Sequence, residues 1–159
     1  MILPSSITTR LQYQHKSLIE LIDGLSDTQI RMGVIPGKWS VFEHIVHLET
    51  YQLVFADRIK TIIGNDGASF HVYSAETDPL FHDHLEKSSH EVIHELMTRR
   101  KEISSSMSMF NGDDLAKKGT HPVYGEMNLT GWLNFFLLHE SHHLFTIFKL
   151  ASLTRLGKY

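Results

Sequence analysis

"KWSVFEHIVHLETY", residues 38–51, opens a helix and shows which way that helix faces. Ser40 is a good N-cap, Glu43 three residues on is its capping-box partner, and Trp39 just ahead can act as a hydrophobic staple. The helix so started runs to about Ile63, where "GNDG" stops it. Two histidines stand in its otherwise apolar opening turns. His44 lies nearer the apolar stripe, while His47 borders a polar arc of Glu43, Thr50 and Arg58.

Three more amphipathic segments surround it. From Ser5 or Ser6 to Leu25, the residues Leu11, His15, Leu18, Ile22 and Leu25 alternate steps of four and three and line one face. Gly24 and "SDTQ" end that helix, and "VIPGKW" is a loop. A third helix covers roughly Phe81 to Met107, with Leu85, Val92, Leu96, Ile103 and Met107 on one side. The last starts near Asn128 or Thr130 and continues to about Leu150. Residues 64 to about 80 read as irregular, and residues 111–128 as a loop with at most a short extended piece. Four helices without a strand pattern predict an all-α four-helix bundle forming one domain over residues 1–159. The connections after the second and third helices are longer than an up-down bundle needs, so a crossover, or a loop folded over a site, is expected.

Composition narrows the function. The chain of 159 residues has 42% hydrophobic and 21% charged residues, ordinary values for a globular protein. A net charge of -3 with scattered Lys and Arg offers no stripe for a phosphate backbone, so no nucleic-acid partner is expected. Without cysteine there is no disulfide, no thiolate-bound zinc and no Cys nucleophile. The opening "MILPSSITTR" has no signal-peptide pattern and the longest apolar run, Phe135 to Leu138, is far too short for a membrane span. A cytoplasmic protein with a small-molecule substrate and no membrane partner is the expectation. Histidine is the outlier, with 12 residues, which prompts a search for metal ligands.

Two pentapeptides fit H-E-x-x-H, "HEVIH" at residues 90–94 and "HESHH" at 139–143. Each puts two imidazoles one helical turn apart, close enough to share an ion. His90 and His94 fall opposite the apolar stripe of the third helix, with Thr98 and Lys101, on a solvated face. His139 and His143 fall in line with Trp132, Phe136, Ile147 and Leu150 and look inward, with Glu140 to one side of the ion. His142 is out of register and belongs to the surface or the ligands' surroundings. Zinc peptidases with this pattern take a third ligand from further along the chain, but "LFTIFKLASLTRLGKY" holds no His, Asp or Glu. A third ligand must come from upstream, and His44 and His47 both offer one.

Taken together, "KWSVFEHIVHLE" and the later "HPVYGEMNLTGWLNFFLLHESHHLFTI" resemble the DinB/YfiT-like superfamily. Its members carry W-S-x-x-E-x-x-x-H-L on the second helix, then H-P-x-x-G, W-L and H-x-x-x-H leading into and along the last. The resemblance covers nearly the whole chain. It implies a four-helix bundle with a crossover and one divalent ion, of the zinc, nickel, iron or manganese kind, on three histidines. By motif register these are His47, His139 and His143, which leaves His44 as a neighbour of the ligands. Thr146 stands where family members often have Gln, so the ligands' surroundings are altered.

Three imidazoles leave open coordination positions, which suits catalysis. The resemblance implies either a metal-dependent thiol S-transferase using a low-molecular-weight thiol such as bacillithiol or mycothiol, or a hydrolase; the transferase is preferred. Relatives are often dimers, so a homodimer is implied too. The alternative is a non-catalytic bundle whose ion only ties helices together. Glu43 is a candidate partner of a ligand imidazole, and His15, Trp132 and Phe136 are candidate pocket walls, against the plainer roles of cap and core. Arg58 can be a solvated charge or a contact for an anionic cosubstrate, and His121, before Pro122, belongs to a turn.

Overall fold

In the computed structural model, which describes residues 2–158, Ser40 caps α4 (Val41–Gly64) through both halves of the predicted box. Its Oγ accepts from Glu43 N at 3.2 Å, and the Glu43 carboxylate accepts from Ser40 N at 2.6 Å. Trp39 packs edge-on against His44, one turn inside the helix, with ring centroids 5.4 Å apart. An imidazole therefore completes the staple.

The first arm is broken where periodicity predicts one helix to Leu25. It consists of α1 (Ser5–Tyr13), a 3-10 turn (Gln14–Lys16) and α2 (Ser17–Ile22). The cause lies across the bundle, where Arg100 Nε and Ser104 Oγ donate to the Leu11 carbonyl at 3.3 and 2.7 Å. Side chains that insert into the helical ladder in this way tighten or kink it. The "SDTQ" segment does more than end the arm: Ser26 and Gln29 form a capping box that starts α3 (Asp27–Arg31).

The third arm is also two helices, α5 (Pro79–Leu85) and α6 (Ser89–Met107). Ser88 and Glu91 form a further capping box at the break, so the Glu of "HEVIH" is a capping residue. After α6 come α7 (Gly112–Ala116), a hairpin of β2 (Lys118–His121) and β3 (Gly125–Asn128), and α8 (Leu129–Arg155), capped by Asn128 and longer than predicted. Within the stretch read as irregular, β1 (Ala68–Ser69) pairs in parallel with β2, making a three-stranded sheet that the sequence did not announce. Trp132 pins this sheet to the bundle by donating Nε1–H to Gly119 O at 3.1 Å.

The four arms form the predicted bundle. α4 lies between α6 and α8, and the first arm packs against α6 and α8 on the far side. The first arm thus connects to its diagonal opposite, α4, and α6 connects to its diagonal opposite, α8. These two connections are the crossovers, while residues 65–78 fold back over α4. The apolar core comes in two clusters, one around Leu18, Ile45, Leu96 and Ile147 and the other around Leu11, Phe55, Ile103 and Phe136. Between them each arm contributes buried polar residues: His15, then His47, Glu49, Thr50 and Gln52, then Arg100, and Glu140 with His143. No helix among the described residues is long and apolar enough to cross a membrane.

Candidate metal centre

α4 brings His47, and α8 brings His139 and His143 from successive turns, to one point in that polar layer. The His139 Nε2 atom lies 3.1 Å from His47 Nε2 and 3.2 Å from His143 Nε2. An ion held at about 2.0–2.1 Å by tetrahedral imidazoles separates its nitrogens by about 3.3 Å. The three side chains can therefore hold a metal ion with little adjustment.

The surroundings keep these rings neutral. Burial, then the neighbouring imidazoles, lowers His47 and His139 to about 3 and His143 to about 2, from an ordinary 6.5. Their lone pairs are thus free for an ion at neutral pH. His44 Nδ1 lies 2.9 Å from His143 Nδ1, and with His143 Nδ1–H donating to His44 the His143 Nε2 is left unprotonated toward its partners. The Nδ1 atoms of His47 and His139 are buried and have no hydrogen-bond partner among the described residues. Those two rings are held by packing instead: Tyr51 lies 4.2 Å from His139, and Trp39 5.2 Å from His47, centroid to centroid.

His47 and His139 face a cavity of about 380 Å³ whose other walls include Trp39, Tyr51, Arg58, Tyr73, Tyr124 and Phe135. Residues 72–76 line one side of it. Tyr73 Oη donates to Asp78 Oδ2 at 2.9 Å, and burial raises the pKa of both Tyr73 and Tyr51, so these phenols stay protonated. His121 is both turn and wall. Its Nδ1 accepts from the backbone N–H groups of Val123 and Tyr124 at 3.1 and 3.2 Å.

Several sequence expectations are corrected. Glu43 is spent on its cap, where its carboxylate takes the Ser40 N–H, and makes no bond to a ligand imidazole. Trp132 and Phe136 are core, fully buried against the sheet and against Phe55, whose ring stacks on Phe136 at 4.0 Å. His15 is buried elsewhere, in a cavity it shares with Met97, Lys101 and Ser104. The Thr146 hydroxyl donates to the His142 carbonyl of its own helix and makes no bond to the three histidines. Glu140 points to one side of the ligands' meeting point, as its place on the helix predicts. It turns through the core to a short ion pair with Arg100 and accepts from Gln14 Nε2 at 2.7 Å. Arg58 is not solvated but only 6% exposed. His90, His94 and His142 are exposed, as their helix faces predicted.

A second group, Glu49, His84 and Glu95, is also close enough to share an ion. Here Arg99 Nε meets Glu49 at 2.8 Å, Lys87 Nζ lies 2.8 Å from both oxygens of Glu95, and His84 Nδ1 lies 2.7 Å from Glu49. Two cations match the two carboxylates, so this group balances its charge without an ion. Sequence patterning missed it, and it missed the Arg100–Glu140 pair, because both join residues on different helices.

Fold and site together define a class: a helix bundle with crossed connections whose cleft carries a three-histidine group able to hold a metal ion. The chain belongs to the DinB superfamily, whose family model matches residues 10–147. A curated relative, the uncharacterized protein YuaE of Bacillus subtilis, is 23% identical over 77% of this chain and 83% of its own length. Among solved structures, YfiT from Bacillus subtilis superposes with a TM-score of 0.79 over 97% of this chain and 87% of YfiT, at 16% identity. YfiT is described as a probable metal-dependent hydrolase with an unusual four-helix bundle topology.

Proposed function

We propose that the cleft binds one divalent metal ion through His47, His139 and His143 and uses it to activate a nucleophile against a small-molecule substrate. The observation that carries this is the convergence of three neutral Nε2 atoms, 3.1 and 3.2 Å apart, at the floor of a cavity. An ion on three imidazoles keeps open positions and lowers the pKa of a water or thiol that joins it. The chain's own part is to present unprotonated ligands, exclude water with aromatic walls, and hold Tyr51, whose oxygen accepts from Arg58, as a neutral donor.

With a small thiol as nucleophile the enzyme is an S-transferase, and with water it is a hydrolase. The absence of cysteine is consistent with a thiol that arrives with a cosubstrate. The description of YfiT favours water. The non-catalytic reading is less well supported, because the group supplies three protein ligands rather than the four of a closed structural site.

Metal analysis of the purified wild type beside His47→Ala tests the site. About one equivalent of ion is expected in the wild type and close to none in the variant; a metal-free wild type, or unchanged content in the variant, overturns it. Turnover of small electrophilic substrates with and without added thiol then separates transferase from hydrolase.

A further inference from the structure

Two arginines are buried in this protein, and they are treated differently. Arg100 has Glu140 as its counter-ion. Arg58, 6% exposed, has no carboxylate within ion-pair distance among the described residues. Its Nη1 donates to Tyr51 Oη at 3.4 Å and its Nη2 to His71 O at 2.9 Å, and no other acceptor among the described residues takes its remaining N–H groups. The guanidinium lies near the faces of Phe70 and Trp132, 5.5 and 5.8 Å from their centroids.

A bond to His71 O could be made by a neutral amide, so it does not account for a full charge. Burying an uncompensated cation is costly unless something neutralises it. Arg58 also forms part of the wall of the cavity that reaches His47 and His139. Glu76 stands at the same cavity, but its carboxylate accepts from Ser74 at 2.7 Å, and it is exposed. The cavity that Arg58 shares with His47 and His139 is lined by the aromatic rings of Tyr51, Tyr73, Tyr124, Phe135 and Trp39.

We infer that Arg58 is the anion-binding subsite of the cleft, and that the substrate or cosubstrate carries a carboxylate on an apolar or aromatic body. The carboxylate pairs with the planar fork of Arg58 while the reacting part of the molecule lies toward His47 and His139. This inference rests on the metal-dependent reading for the role of the bound molecule, but the charge preference itself is separable from metal binding.

The test is calorimetric titration of the full chain with benzoate and with its neutral isostere benzamide, after EDTA treatment so that no ion can itself attract the anion. Benzoate is expected to bind at least about tenfold more tightly than benzamide. Arg58→Gln should remove that preference, and Arg58→Lys should keep part of it. Equal affinity of the wild type for the two compounds, binding of neither, or a preference that survives in Arg58→Gln overturns the inference. The wild-type comparison decides even if a variant fails to fold. A protein that prefers benzoate yet takes up no metal would sink the proposed function and leave the Arg58 subsite standing.

Discussion

His44 and His47 stand three positions apart on α4, and their roles separate by one bond. His47 turns its Nε2 to His139, while His44 turns its Nδ1 to the Nδ1 of His143. Partners that orient a ligand imidazole typically contribute ten- to a hundredfold in metal affinity. His44→Ala should therefore weaken metal binding by about that factor without changing the stoichiometry, as read by competition with a chelating dye. Unchanged affinity would mean that His44 only lines the cleft. Glu140 makes a second case at this scale. Its change to Gln leaves the fully buried Arg100 charge without a counter-ion and should cost about 3–5 kcal/mol of stability in urea unfolding. A loss under about 1 kcal/mol would show that the pair is dispensable.

The helices were legible wherever a cap and a stripe coincide. Ser40 with Glu43 marks α4, and the same signature at Ser88 with Glu91 marks a helix start inside a segment that periodicity ran together, while at Ser26 with Gln29 it starts a short helix in a stretch read only as the end of the first arm. Apolar spacing continues across a break when both pieces face one core, so only the caps show it. Ser88→Ala should cost about 1 kcal/mol and fray the start of α6, measurable by faster amide exchange there. The sheet was not legible, since its strands are two to four residues long. Its attachment is tight: a Cβ on Gly119 would lie 2.8 Å from Ile62 Cδ1 and 3.1 Å from Trp132 Nε1. Gly119→Ala should destabilise by roughly 1–3 kcal/mol and alter Trp132 fluorescence; an unchanged midpoint would show that the Ile62 side chain simply moves aside.

Across the whole molecule, a polar layer divides the core into two apolar halves, and its buried histidines make stability pH-dependent. Burial, helped by Arg100 and Lys16, lowers His15 to about 4, and burial lowers His44 to about 4 as well. In the unfolded chain both take protons near 6.5, so the unfolded state gains protons that the folded state refuses. Stability of the metal-free protein should therefore be full above pH 6.5 and fall as pH drops toward 4, by up to about 3 kcal/mol for His15 alone. His47, His139 and His143 add to the loss over the same window and extend it below pH 4. Urea midpoints against pH check this, with His15→Gln expected to make the slope between pH 6.5 and 4 shallower by one histidine's share.

The sequence by itself determined the bundle, the inward face of α8 and the pairing of His139 with His143, because caps, stripes and one-turn spacings act within a few residues of chain. It left His44 and His47 undivided on periodicity, and the resemblance to a family chose between them. It also set Thr50 and Arg58 on a polar arc, bordered by His47, that local patterning reads as facing water. Only the tertiary structure decided otherwise: the segment after β1 returns over α4, all three are buried, and His47 and Arg58 become walls of the cleft. Solvent exposure is a property of what comes back to cover a face, and that covering is made by contacts between residues distant in the chain.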